Sequence, residues 1–185
     1  MTVQVYLGLG ANIDPEHCLR AGVAALRDAF GESSPVQLSP VYQTQAVGLE
    51  GPDFLNMVVG FSTLMSVAFG LLAAIGMPKI IDDQFTVASD TKIIKEVENK
   101  NGRQRDQKQS SCHRLDMDLL LYGNLISPAD NLPRSDVLQR AYVLKPLADI
   151  APALSYPGAQ ESMASLWQAS QLGQVIKSIP MEFTD

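Results

Sequence analysis

Residues 1–10, MTVQVYLGLG, alternate apolar and polar positions like a strand, and Val3–Leu9 reads as a buried strand running into a turn at Gly10-Ala11-Asn12. Asp14-Pro15 then opens a helix, with Asp14 as N-cap and Pro15 at the first helical position. Leu19, Val23, Leu26 and Phe30 recur at helical spacing along it, and Gly31 stops it. Val36–Tyr42 reads as a second strand, followed by a Gly- and Pro-rich loop over residues 44–52. FLNMVVGFSTL, Phe54–Leu64, is a third strand with one polar residue, Asn56, in its apolar stretch. Ser66–Gly76 has the composition of a buried helix, and Pro78 breaks it. Thr91–Asn101 is a charged helix with Ile93, Ile94 and Val97 facing inward. Residues 103–111, almost without apolar groups, read as a flexible surface loop. Arg114–Tyr122 is a strand, Asp136–Leu147 a helix, and a last helix lies near Ser162–Gln171.

The order strand-helix-strand, strand-helix-strand is the split βαβ pattern. It predicts an α+β fold: a ferredoxin-like antiparallel sheet with helices packed on one face, added C-terminal elements, and site-bearing loops at one edge. The chain has 185 residues, 46% hydrophobic and 18% charged, which suits one globular domain over residues 1–185. No run reaches 18 apolar residues, so no transmembrane helix is expected. The start carries no basic segment of the signal-peptide kind, which points to the cytoplasm. Cys18 and Cys112 form no CxxC pair, so neither a disulfide framework nor a zinc site of the usual spacing is expected.

Charge is unevenly spread. Residues 91–114 hold seven of the fourteen Lys and Arg residues against three acids, in a chain of net charge −6. An acidic protein with one basic segment is a poor nucleic-acid binder, but such a segment can grip a small polyanion or simply be a solvated face. Next to it stands Asp116-Met117-Asp118. Residues two apart on a strand share a face, with Cα atoms roughly 7 Å apart, so two carboxylates stand side by side while Leu115, Met117 and Leu119 face the other way. Such a pair is either the polar side of a half-exposed strand or a seat for Mg²⁺, which is held by one or two carboxylates together with substrate phosphates. There is no GxxxxGK[ST] motif, and Gly8-Leu9-Gly10 lacks the third glycine of a dinucleotide fingerprint, which leaves a tight turn. Phe54 and Asn56 share a face; the amide needs a backbone or ligand partner. Tyr142 is core or one half of an aromatic clamp. His17, His113 and Cys112 receive no chemical role.

Taken together, VYLGLGAN, SPVYQTQAVG, GPDFLNMVV, ENKNGRQR, RLDMDLLLYGN and LPRSDVLQRAYVLKPLADIAP make the chain resemble the 6-hydroxymethyl-7,8-dihydropterin pyrophosphokinases. These folate-pathway enzymes move pyrophosphate from ATP to a pterin alcohol. The resemblance covers nearly all of residues 3–157 except roughly 66–90. It implies that Asp116 and Asp118 bind two Mg²⁺ ions bridging the ATP phosphates, with Asp118 also helping to activate the pterin hydroxyl. Arg103 and Arg105 match catalytic-loop arginines. Phe54 and Tyr142 match the rings that sandwich the pterin, Asn56 the amide that reads its edge, and Thr44, Ala46 and Val47 the loop that does the same. Glu98, Arg134 and Arg140 match positions near the ATP, Arg134 standing where the family usually has histidine.

Three departures stand out. The stretch before the aspartates reads Gln109-Ser110-Ser111-Cys112-His113-Arg114, with Ser110 in place of the family's tryptophan. Counted without gaps from Arg103, His113 takes the place of the family's arginine at the phosphates; with a one-residue shift Arg114 takes it instead. About twenty residues are also inserted near 66–90, and Phe69, Leu71, Leu72, Ile75, Ile80 and Ile81 there form either extra core or a partner surface. The implied partners are the reduced pterin and ATP, with no nucleic acid and no membrane, acting on a monomer or weak homodimer. The rival is a pterin- or nucleotide-binding paralogue without turnover, kept for regulation or partner contact.

Overall fold

The computed structural model describes residues 2–30, 35–46, 51–64, 92, 94–96, 98–99 and 115–184. The helix predicted at Ser66–Gly76, the insertion expected near 66–90 and the loop expected over 103–111 all fall outside the described residues. The strands are β1 Thr2–Ala11, β2 Gln37–Leu38, β3 Val41–Thr44, β4 Phe54–Leu64, β5 Asp116–Tyr122 and β6 Lys177–Ile179. The helices are α1 Pro15–Phe30, α2 Asp136–Gln139, α3 Ala141–Ile150 and α4 Met163–Ala169. Residues 92, 94–96, 98 and 99 are also helical. The sheet order is β5-β1-β4-β3-β6, with β2 also on β4, and every pairing is antiparallel. The central order is that of the split βαβ pattern, the role of its second strand being shared by β2 and β3.

Alternation builds two cores. The odd residues of β1, Val5, Leu7 and Leu9, meet Leu19, Val23 and Leu26 of α1, together with Met57, Phe61, Met117 and Ile94. Phe30 and Phe61 stack there with ring centroids 4.3 Å apart. On the opposite face Tyr6, Val58, Leu120 and Leu121 pack against Val137, Leu144, Leu147 and Met163 of the C-terminal helices. Helices thus cover both faces, not one. The reason is that β1, β4 and β5 are apolar on both sides over part of their length, and such a surface has to be buried twice.

The element boundaries also differ in places. β1 runs on to Ala11, because Gly10 and Ala11 pair with Asn56 and Leu55 of β4; the expected turn at Gly10-Ala11-Asn12 is ladder as far as Ala11. The second strand is cut at Ser39-Pro40 into β2 and β3. Ser39 bridges the gap: its N–H donates to the Val58 carbonyl and its hydroxyl accepts from the Val58 N–H. The helix expected over Asp136–Leu147 breaks at Arg140, whose backbone is extended, and resumes as α3. β6 is too short and polar to have signalled itself, yet it pairs with β3 through Val41–Ile179 and Gln43–Lys177.

Candidate active site

The second face changes character along the strands. From the core end outward, β1 runs Tyr6, Gly8, Gly10; β4 runs Val58, Asn56, Phe54; β5 runs Leu120, Asp118, Asp116. The register places Asp116 beside Gly10, Gly10 beside Asn56 and Asn56 beside Tyr42 in one row across the sheet. Asp118, Gly8 and Val58 form the next row. Two carboxylates therefore stand on one side and an amide on the other, with bare glycine backbone between. A Cβ on Gly10 would come within 3.1 Å of Asn56 Oδ1, so only glycine leaves this floor open. Above the floor lies a cavity of about 310 Å³, at the small end of ligand sites. Thr44, Gln45, Phe54, Asn56, Asp116, Asp118, Arg134, Asp136, Arg140 and Tyr142 line it.

The side chains are fixed from several elements. Asn56 is buried, and its Nδ2 donates to Thr44 Oγ1 at 2.9 Å. Tyr42 in the same row donates to Asp149 Oδ2 at 2.7 Å, tying α3 to β3. Burial, then this bond to Asp149, raises the Tyr42 hydroxyl above its ordinary pKa. Lys145 reaches the same Asp149 and sits 5.7 Å from the Tyr42 ring centroid. At the N-terminus of α3, the Ala141 N–H donates to Gln174 Oε1 at 2.7 Å, which holds Arg140 and Tyr142 in place from the C-terminal segment. Burial pushes the Tyr142 hydroxyl pKa up; among the charges around it, Arg140 and Arg134 lower it while Asp136 and Asp118 raise it. Two cations and two anions thus ring this phenol.

Two features steer β5. The register shifts between Tyr6 and Leu7, which leaves Leu120 unmatched across β1. Its carbonyl accepts the Arg134 N–H at 2.9 Å, anchoring Arg134 beside the aspartates. Glu98 was expected among the ATP contacts, but it does not line the cavity. It is 2% exposed and accepts the Met117 N–H at 2.9 Å, which fixes the strand between the two aspartates. Glu98→Ala is expected to lower stability by about 1–3 kcal/mol by leaving a buried N–H without its acceptor, and Glu98→Gln to lower it less. Urea unfolding of the three proteins measures the difference.

Of the other expected site residues, Thr44, Phe54, Asn56, Tyr142, Asp116, Asp118, Arg134 and Arg140 share the cavity. Ala46 is half-buried and outside the lining, where its neighbour Gln45 stands instead. Val47, Arg103, Arg105 and Arg114 lie outside the described residues. Gly8, Gly10, Gln45, Asp136 and Gln174 had not been singled out for the site. The glycines carried a usable signal, since both fall on the even face of an alternating strand. Asp136 did as well, two residues from Arg134 and four from Arg140. Nothing local marks Gln174.

The donor set suits magnesium. Two carboxylates are hard oxygen ligands, and the strand offers them on one face with glycines as their neighbours on β1. Among the described residues no group of three or more His, Cys, Asp or Glu is gathered for a metal. The pair would therefore share such an ion with phosphate oxygens and water.

The fold and cavity define an α+β, ferredoxin-like protein with a carboxylate pair facing an aromatic and amide pocket. The family model described as 7,8-dihydro-6-hydroxymethylpterin-pyrophosphokinase (HPPK) matches residues 6–77 and 79–152, and the chain belongs to that family. It is 30% identical over 161 residues to the 2-amino-4-hydroxy-6-hydroxymethyldihydropteridine pyrophosphokinase of Pseudomonas aeruginosa, covering 85% of this chain and 86% of that one. The Haemophilus influenzae protein of the same name is 28% identical over 162 residues, covering 85% and 88%. Among solved structures, wild-type Plasmodium falciparum HPPK-DHPS with pterin and p-hydroxybenzoate superposes with a TM-score of 0.54 at 12% identity. That match covers 91% of this chain but spans only 43% of the other, and it bears on the fold alone.

Proposed function

We propose that the protein transfers pyrophosphate from MgATP to the hydroxymethyl group of 6-hydroxymethyl-7,8-dihydropterin in folate biosynthesis, releasing AMP. The observation that carries this reading is a cavity floored by Gly8 and Gly10 that brings the Asp116–Asp118 pair together with Phe54, Asn56 and Tyr142. In this reading Asn56 and Thr44, with the loop through Ala46 and Val47, read the polar edge of the pterin. Phe54 and Tyr142 hold its flat faces, which aromatic rings do at little entropic cost. Asp116 and Asp118 hold the divalent ions. Magnesium, when bound, neutralises phosphate charge. Asp118 also orients the hydroxyl proton of the alcohol that attacks the β-phosphorus of ATP, with AMP as the leaving group. Arg134 and Arg140, with Arg103, Arg105 and Arg114, supply cationic donors to the phosphates. Transfer of this kind needs charge placement and in-line alignment more than covalent help. The protein works in the cytoplasm on small molecules, as a monomer or weak homodimer. No described helix is long and apolar enough to cross a membrane.

A titration tests the binding half of the proposal. The reduced pterin and a non-hydrolysable ATP analogue are added with and without Mg²⁺ and followed calorimetrically. Analogue binding is expected to need Mg²⁺, with both ligands bound together. Analogue binding indifferent to Mg²⁺, or no pterin binding, overturns it. Tight binding of both ligands without turnover would support the silent-paralogue reading.

A further inference from the structure

We propose that Arg134 is a resident counter-ion of Asp118, which it releases when a divalent cation arrives with phosphates, so that the site discriminates against the free cation. The inference deepens the reading just given and rests on it. Arg134 Nη2 lies 3.1 Å from Asp118 Oδ1, while its Nε donates to Asp136 Oδ2 at 2.7 Å. The other oxygen of Asp136 lies 3.7 Å from Arg140 Nε. The four side chains alternate in sign around one rim of the cavity.

Three features make this a device for exchange rather than a static clasp. Arg134 is tethered at its root, through its N–H on the Leu120 carbonyl, two residues from Asp118 along β5. Its guanidinium has two anionic partners that engage different nitrogens, so it can leave Asp118 while Asp136 still holds Nε. Both members of the pair are partly solvated, the side chains of Arg134 and Asp118 being 28% and 40% exposed, so separating them does not strand a buried charge. A bare cation entering the site meets a carboxylate whose charge is already matched. A cation bound to phosphate brings new anionic oxygens to which the guanidinium can turn.

The test measures Mn²⁺ binding to the full chain by electron paramagnetic resonance, first with Mn²⁺ alone and then with a non-hydrolysable ATP analogue present. Arg134→Gln is expected to bind Mn²⁺ alone about tenfold more tightly than the parent, the size of a partly exposed charge-assisted pair. With the analogue present, the same variant is expected to lose affinity. Arg134→Lys keeps the positive charge and should stay at the parent level for Mn²⁺ alone. Adding Asp118→Asn to Arg134→Gln should abolish the gain. The inference is overturned if Arg134→Gln binds Mn²⁺ alone no better than the parent, or if Arg134→Lys tightens it equally. A protein that fails to bind Mn²⁺ even with the analogue overturns the metal reading itself and the inference with it. A merely structural role for Arg134 would not tighten metal binding in any variant.

Discussion

Asp116→Ala or Asp118→Ala is expected to lower turnover by about a thousandfold or more while leaving pterin affinity nearly unchanged. The two carboxylates stand on the even positions of β5, opposite Gly10 and Gly8, so nothing else on the neighbouring strand replaces them. The groups proposed to face the pterin are on other elements, Phe54 and Asn56 on β4 and Tyr142 on α3, so the proposal separates binding from chemistry. In the proposed reaction the pair sets where the phosphate charge is neutralised, a contribution worth several kcal/mol of the barrier. Single-turnover rates and a pterin titration on the same preparations check both halves. A double variant with the parent's kcat would sink the assignment.

Asn56→Leu is expected to weaken reduced-pterin binding by about ten- to a hundredfold while kcat at saturation falls much less. Leucine has about the same volume but no donor or acceptor. The amide is only 7% exposed, and Thr44 Oγ1 fixes its orientation. A buried amide held this way discriminates strongly, because a ligand that fails to pair with it leaves polar groups unsatisfied. Thr44→Val keeps the amide and removes its orienting acceptor, so its loss of affinity should be smaller. Pterin binding by Asn56→Leu within experimental error of the parent would show that this edge of the cavity does not contact the ligand. Thermal unfolding of each variant separates a binding loss from a folding one.

Much of the fold was legible because alternation is a strong signal. VYLGLG, FLNMVV and DMDLLL each place apolar residues on one face and change character on the other, and the register of β1 with β4 and β5 aligns those changes into one cavity. The resemblance gathered the same groups from their motifs. Two things were not legible, each for a physical reason. Glu98 reads as part of a charged helix face, and only tertiary packing shows that its carboxylate is buried on the Met117 N–H. Gln174 and β6 act through contacts more than 30 residues distant in sequence, the 33 between Gln174 and Ala141 among them, and carry no local pattern.

The most direct test of the central claim is the identity of the products. The protein is incubated with 6-hydroxymethyl-7,8-dihydropterin, ATP and Mg²⁺, and the nucleotides and pterins are separated. The account predicts AMP and the pterin diphosphate in equal amounts, with neither formed when the pterin, ATP or Mg²⁺ is left out. ADP as the nucleotide product, or no pterin-dependent loss of ATP, would contradict it.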